Sequence, residues 1–145
     1  MIRSLKQRNS PVAVAVMGAQ LAANLPADLR QAHNVLVPVP AHRLRGRQRG
    51  FNPAFALASE LAARTPLPLR PCLRRTDWSP RQAGAGAISR RASDRIAVEL
   101  TSEAPRHAIL VDDVHTTGAT LDACARALRA GGSRFVAAIA YARAL

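Results

Sequence analysis

The stretch Ala108-Ile109-Leu110-Val111-Asp112-Asp113-Val114-His115-Thr116-Thr117-Gly118-Ala119-Thr120 constrains this chain more than any other. Its apolar opening suits a central strand of a parallel sheet, covered on both faces. Asp112 and Asp113 follow at the carboxyl end, the edge where open α/β sheets place their ligands. Unpaired charge at a buried strand end is expensive, so a purely structural strand, turn and helix leaves the two acids unexplained. Successive strand residues point to opposite faces, which predicts different tasks for the two carboxylates. Beyond them, Val114–Ala119 offers backbone N–H groups, threonine hydroxyls and a glycine that lets a ligand approach closely. The helical pattern after this loop adds the positive end of its dipole, a place for phosphate. Carboxylates beside a phosphate site suit a ligand bearing both hydroxyls and phosphate, as a ribose 5-phosphate does.

Ile109–Thr120 resembles the phosphoribosyl pyrophosphate (PRPP) signature of type I phosphoribosyltransferases. The resemblance implies a catalytic pair, Asp112 and Asp113, holding the ribose hydroxyls. It also implies that Val114, His115, Thr116, Thr117, Gly118, Ala119 and Thr120 form the loop around the 5-phosphate. Two other phosphate chemistries fit poorly. A nucleoside triphosphatase needs a P-loop lysine, yet the single lysine, Lys6, lies in no glycine-rich pattern. A phosphoacceptor receiver domain clusters acids at strand ends, but its chemistry does not require Thr-Thr-Gly-Ala-Thr.

At 145 residues the chain reads as one domain, with residues 1–33 as an N-terminal helical or hood segment. Arg3, Lys6 and Arg8 before the apolar run Val12–Met17 have the outline of a secretory signal. A helix is the better reading: Ser10 is its N-cap, Pro11 its first turn, and Val14, Met17, Leu21 and Leu25 follow at helical spacing. A strand is expected at Asn34–Val39, leaving the sheet at Pro38 and Pro40. A helix is expected at Pro53–Arg64, capped by Asn52, with Phe55, Ala58, Leu61 and Ala62 on its core face. A short strand around Leu67–Leu69 and Leu73 comes next, then a long loop over Thr76–Ser93 and a strand at Ile96–Leu100. After the motif, Leu121, Cys124, Ala125 and Leu128 mark a helix ended by Gly131-Gly132, and Phe135–Tyr141 reads as the last strand. This alternation predicts a three-layer α/β fold with a mainly parallel sheet. Cys72 and Cys124 form no disulfide or zinc pattern, and Cys124 reads as a buried thiol.

The net charge of +12 is carried almost wholly by arginine and suits polyanionic ligands or partners. Arginine recurs at every second position from Arg43 to Arg49, and no acid occurs between Asp28 and Glu60. Such a run is either a solvated basic loop or a clamp for pyrophosphate, whose oxygens match the guanidinium fork. Val-Pro-Val-Pro-Ala-His-Arg, followed by Arg45 and Arg49-Gly50-Phe51-Asn52, is similar to the signature of the ComF family of late-competence, phosphoribosyltransferase-like proteins. Pro53 departs from the glutamine expected there. The resemblance makes Arg43, Arg45 and Arg49 candidates for pyrophosphate contact. It makes Gln82 and Arg91 candidates on a mobile loop that closes over PRPP. Longer members carry a four-cysteine zinc module ahead of this region. This chain is expected to lack it, and Met1–Lys6 looks like a point inside such a chain.

The resemblance thus implies a phosphoribosyltransferase that binds PRPP with Mg²⁺ and transfers the phosphoribosyl group to a nitrogen nucleophile. No direct protein ligand to the metal is assigned. A second reading keeps the site without turnover: a PRPP- or nucleotide-binding accessory factor in DNA uptake, with competence proteins as partners. A third, binding of single-stranded DNA, is opposed by an aromatic content of 3%. A cytoplasmic location, no membrane span and a homodimer complete the expectations.

Overall fold

The computed structural model describes residues 10–41, 52–76, 96–115 and 117–143, with the side chains of His115 and Arg143 excepted. Helix α1 runs Pro11–Asn24 and starts as its sequence dictates. The Ser10 hydroxyl accepts a hydrogen bond from the Ala13 N–H at 3.0 Å, and Pro11 occupies the first turn, where its missing N–H costs nothing. At the other end, the Arg30 guanidinium donates to the carbonyls of Ala22 and Leu25, reinforcing the helix end where intrahelical partners run out. Arg30 closes a 3₁₀ turn, Ala27–Arg30, that leads into β1, Val35–Pro38.

Helix α2, Pro53–Arg64, begins with the same device. Asn52 Oδ1 accepts from the Ala54 N–H at 3.0 Å, while its Nδ2 donates to the Val39 carbonyl at 3.0 Å. One side chain therefore starts the helix and ties it to the end of β1. The buried face of α2 is Ala54, Leu57, Ala58 and Leu61. Phe55, expected in the core, is instead 42% exposed. Alanines occupy several turns of this helix, so spacing alone allows two faces, and the one carrying Leu57 packs inward.

The remaining elements are β2 (Leu73–Arg75), β3 (Val98–Leu100), β4 (His107–His115), α3 (Ala119–Ala130) and β5 (Phe135–Arg143). The main sheet has the order β1-β4-β5, and both pairings are parallel. The strand expected around Leu67–Leu73 divides in two. Leu69 makes an isolated parallel bridge with Leu36, whereas β2 pairs antiparallel with β3 in a separate small sheet. Alternation along β4 sorts the core into two layers. Ile109 and Val111 pack with Met17, Ala22, Leu57, Ala58 and Leu61 from the α1 and α2 side. Ala108 and Leu110 pack with Cys72, Leu73, Cys124 and Leu128 on the α3 side. All four β4 residues are buried, as expected of a central parallel strand.

Helix α3 ends at Gly131-Gly132 as anticipated. Gly132 has φ 109, the left-handed turn that lets the Ser133 N–H reach back to the Leu128 carbonyl at 3.0 Å. Among the described residues no helix is long and apolar enough to cross a membrane.

Asn52 offers the sharpest test of this assembly. Asn52→Ala removes both the cap and the tie to Val39, a loss of about 1–3 kcal/mol in urea unfolding. Asn52→Asp keeps the capping oxygen and loses only the amide donor, so its loss should be the smaller of the two.

Candidate functional site

The site begins where β4 outruns β1. The last pair with β1 is Pro38↔Val111, but pairing with β5 continues through Asp112↔Ala140, Val114↔Ala142 and His115↔Arg143. The strand thus extends beyond the expected carboxyl end, and the two acids lie within it, where it has lost one neighbour. The chain leaves β1 through α2 toward Leu69 on one side, and leaves β4 through α3 toward β5 on the other. The carboxyl ends of β1 and β4 therefore flank a switch in winding direction, the position where open α/β sheets form a ligand crevice.

Asp113 acts directly on the Asp112 carboxyl. Asp112 Oδ1 accepts a hydrogen bond from the Asp113 N–H at 2.8 Å. Burial first, then the hydrogen bond and charge of the Asp113 side chain, push the Asp112 carboxyl up to about 7. The backbone N–H groups of Asp113 and Val114 oppose that rise. At neutral pH the Asp112 carboxyl is therefore protonated in a large share of molecules.

Two residues that no motif singled out belong to the same electrostatic surroundings. Burial, followed by the charge of Asp112, pushes the Cys124 thiol up to about 12, while the charge of Arg75 acts in the opposite direction. Cys124 is fully buried on α3, so it stays a protonated, unreactive thiol behind the acid pair. Arg75 ends β2, an element whose three residues carry no functional pattern, and only tertiary structure brings it near.

The turn after the acids is built for close approach. Gly118 adopts φ 84 and ψ −3 at the N-cap of α3, a left-handed conformation natural to glycine. Thr117 Oγ1 accepts from the Ala119 N–H at 3.3 Å, and the Asp122 N–H donates to the Gly118 carbonyl at 2.8 Å. Gly118, Ala119 and Thr120 are half-buried and Thr117 is exposed. Val114 and the His115 backbone lie in β4. Thr116 lies outside the described residues, as do Arg43, Arg45 and Arg49 and the loop candidates Gln82 and Arg91. Among the described residues no three His, Cys, Asp or Glu side chains form a group that could hold a metal ion.

The raised Asp112 carboxyl has a signed consequence. Between the ordinary carboxylate range and about pH 7, the folded protein retains a proton that the unfolded chain has released. Stability from this group is therefore present at low pH and is lost as pH rises through that window. Asp112→Asn keeps an oxygen for the Asp113 N–H and cannot ionise. In thermal melts the variant should gain on the parent steadily from pH 5 to pH 8 and be the more stable at pH 8.

No protein-family model matches the chain. It is 32% identical over 127 residues to competence protein F of Haemophilus influenzae, an alignment covering 81% of this chain and 56% of that protein. It is 33% identical over 104 residues to competence protein ComFC of Bacillus subtilis, covering 66% of this chain and 38% of that protein. The chain thus spans roughly half the length of the relatives it matches. In three dimensions it is similar to a hypoxanthine phosphoribosyltransferase from Staphylococcus aureus, with a TM-score of 0.56 and 14% identity over 90% of this chain and 63% of the other. The L. donovani hypoxanthine-guanine phosphoribosyltransferase gives 0.54 and 13% identity, over 90% and 71% respectively. Such identities speak for the fold alone. Kinship in sequence with the two competence proteins, joined to this shared backbone path, makes the chain a member of the ComF family built on the type I phosphoribosyltransferase fold.

Proposed function

We propose that this domain binds PRPP with Mg²⁺ and transfers its phosphoribosyl group to a nitrogen nucleophile. The observation that carries the reading is the Asp112 carboxyl, pushed up by burial and by the neighbouring Asp113, set shortly before the left-handed Gly118 and the start of α3. A half-buried carboxyl raised in this way is favoured in its ionised form when hydroxyl donors or a cation approach. The vicinal hydroxyls of a ribose supply such donors. The amides at the Gly118 turn and the dipole of α3 suit its 5-phosphate.

The donor set fits a magnesium ion. Carboxylate and phosphate oxygens are the ligands Mg²⁺ prefers, and Asp112 and Asp113 are the residues that would help the sugar phosphate hold it. Bound there, it supplies charge stabilisation for a departing pyrophosphate. The chain's own residues have complementary work. Asp112 and Asp113 orient the ribose, the Thr117–Thr120 turn fixes the phosphate end, and the arginines at 43, 45 and 49 neutralise the leaving group. Gln82 and Arg91, on the family's mobile loop, would exclude water from the activated sugar. These last five assignments rest on the resemblance, since they lie outside the described residues.

The names of the two relatives favour a second reading, in which the same site serves DNA uptake without turnover. A PRPP site does not by itself entail catalysis. Saturating PRPP with Mg²⁺ should raise the melting temperature by linkage, and Asp112→Asn with Asp113→Asn should abolish the rise. An unchanged melting temperature at saturation removes both readings. Release of pyrophosphate with bases, ammonia or amines identifies the enzyme. Stabilisation with no release across a broad panel identifies the accessory factor.

A further inference from the structure

Among the described residues, the two edges of the parallel sheet are finished differently. On the outer side of β1, Leu36 donates to the Pro68 carbonyl and accepts from the Arg70 N–H, both at 2.8 Å, so a passing segment covers that edge. On the opposite side, β5 has β4 as its one strand partner among the described residues. From Phe135 to Ala142 it carries no charged side chain and no proline, the usual means by which proteins blunt an open edge.

The side chains match the backbone. No described residue of β5 is buried, whereas Ala108–Val111 of neighbouring β4 are closed off. Ala137, Ile139 and Tyr141 are only partly covered by the α1 and α2 layer, and Val136 only partly by the α3 layer. Ala138 is exposed, and Phe135 is 40% exposed. A row of edge hydrogen-bonding groups flanked by half-covered apolar side chains is the surface that strand addition uses.

Charge selects the occupant. Arg134 precedes the strand and Arg143 ends it. The Arg134 N–H donates to the Arg106 carbonyl at 2.8 Å, which brings a third arginine to the same end. A second copy would set a body of net charge +12 against its like, with like-charged strand ends. We propose that the β5 edge receives an extended segment of another protein, apolar or small over about seven residues and acidic at both ends. Main-chain pairing supplies affinity, and the acidic flanks set partner choice.

Hydrogen exchange of the β5 amides in the full chain tests this with two synthetic peptides. One is Glu-Glu-Val-Ala-Val-Thr-Val-Ala-Val-Glu-Glu, and the other has lysines in place of the four glutamates. The acidic peptide should slow exchange across residues 135–142 at least tenfold, weakening as salt rises. The lysine peptide should bind at least tenfold more weakly. Ala138→Lys should prevent protection while the melting temperature stays within a few degrees of the parent. Arg134→Glu, an exposed change, should reduce the preference for the acidic peptide. Equal binding of the two peptides, or no protection by either, overturns the proposal. So does slow exchange in the free chain, with sedimentation separating a second copy from a segment of this chain as the occupant.

Discussion

Burial of β4 between two apolar layers governs the rest of this domain. Its side chains alternate between the layer of α1 and α2 and the layer of α3, so one strand fixes the position of three helices. Complete burial of four successive residues leaves little freedom in register. The residues after them in sequence are therefore delivered to one place. The acids emerge where β1 stops, and the chain must then turn to begin α3. A one-residue slip would exchange the surroundings of Asp112 and Asp113 and leave the Gly118 turn facing elsewhere.

Burial also explains the chemistry of the acids. Asp112 is covered enough to resist ionisation, and its neighbour raises that resistance further. Asp112 Oδ1 accepts from the Asp113 N–H, and any donor or positive charge brought close would favour the ionised carboxylate. The charge of Asp112 reaches the fully buried Cys124 on α3 as well.

Local chemistry made much of the fold legible in the residues. Ser10-Pro11 and Asn52-Pro53 are strong helix starts, Gly131-Gly132 is a strong stop, and Ala108–Val111 has the composition of a strand covered on both sides. All behave as read. The failures share a cause. Phe55 sits on a helix made largely of alanine, where hydrophobic periodicity cannot choose a face, and contact with the sheet decided it. The residues around Leu67–Leu73 are apolar and proline-rich without a period, so their division between a bridge to β1 and a separate antiparallel pair was set by distant partners. The coupling of Asp112 and Asp113, and the presence of Arg75 and Cys124 nearby, depend on side-chain packing across elements that sequence spacing does not encode. Candidate residues on the ligand side were legible mainly as a motif, and their physical environment only from the fold.

The bond between the Asn52 amide and the Val39 carbonyl has a consequence beyond capping. It joins Val39, just after β1, to Asn52, the N-cap of α2, across the arginine-bearing stretch of the sequence. Closing a longer stretch costs only slowly growing entropy. The length and sequence of that stretch can therefore diverge between related proteins while the scaffold on either side goes on folding unchanged.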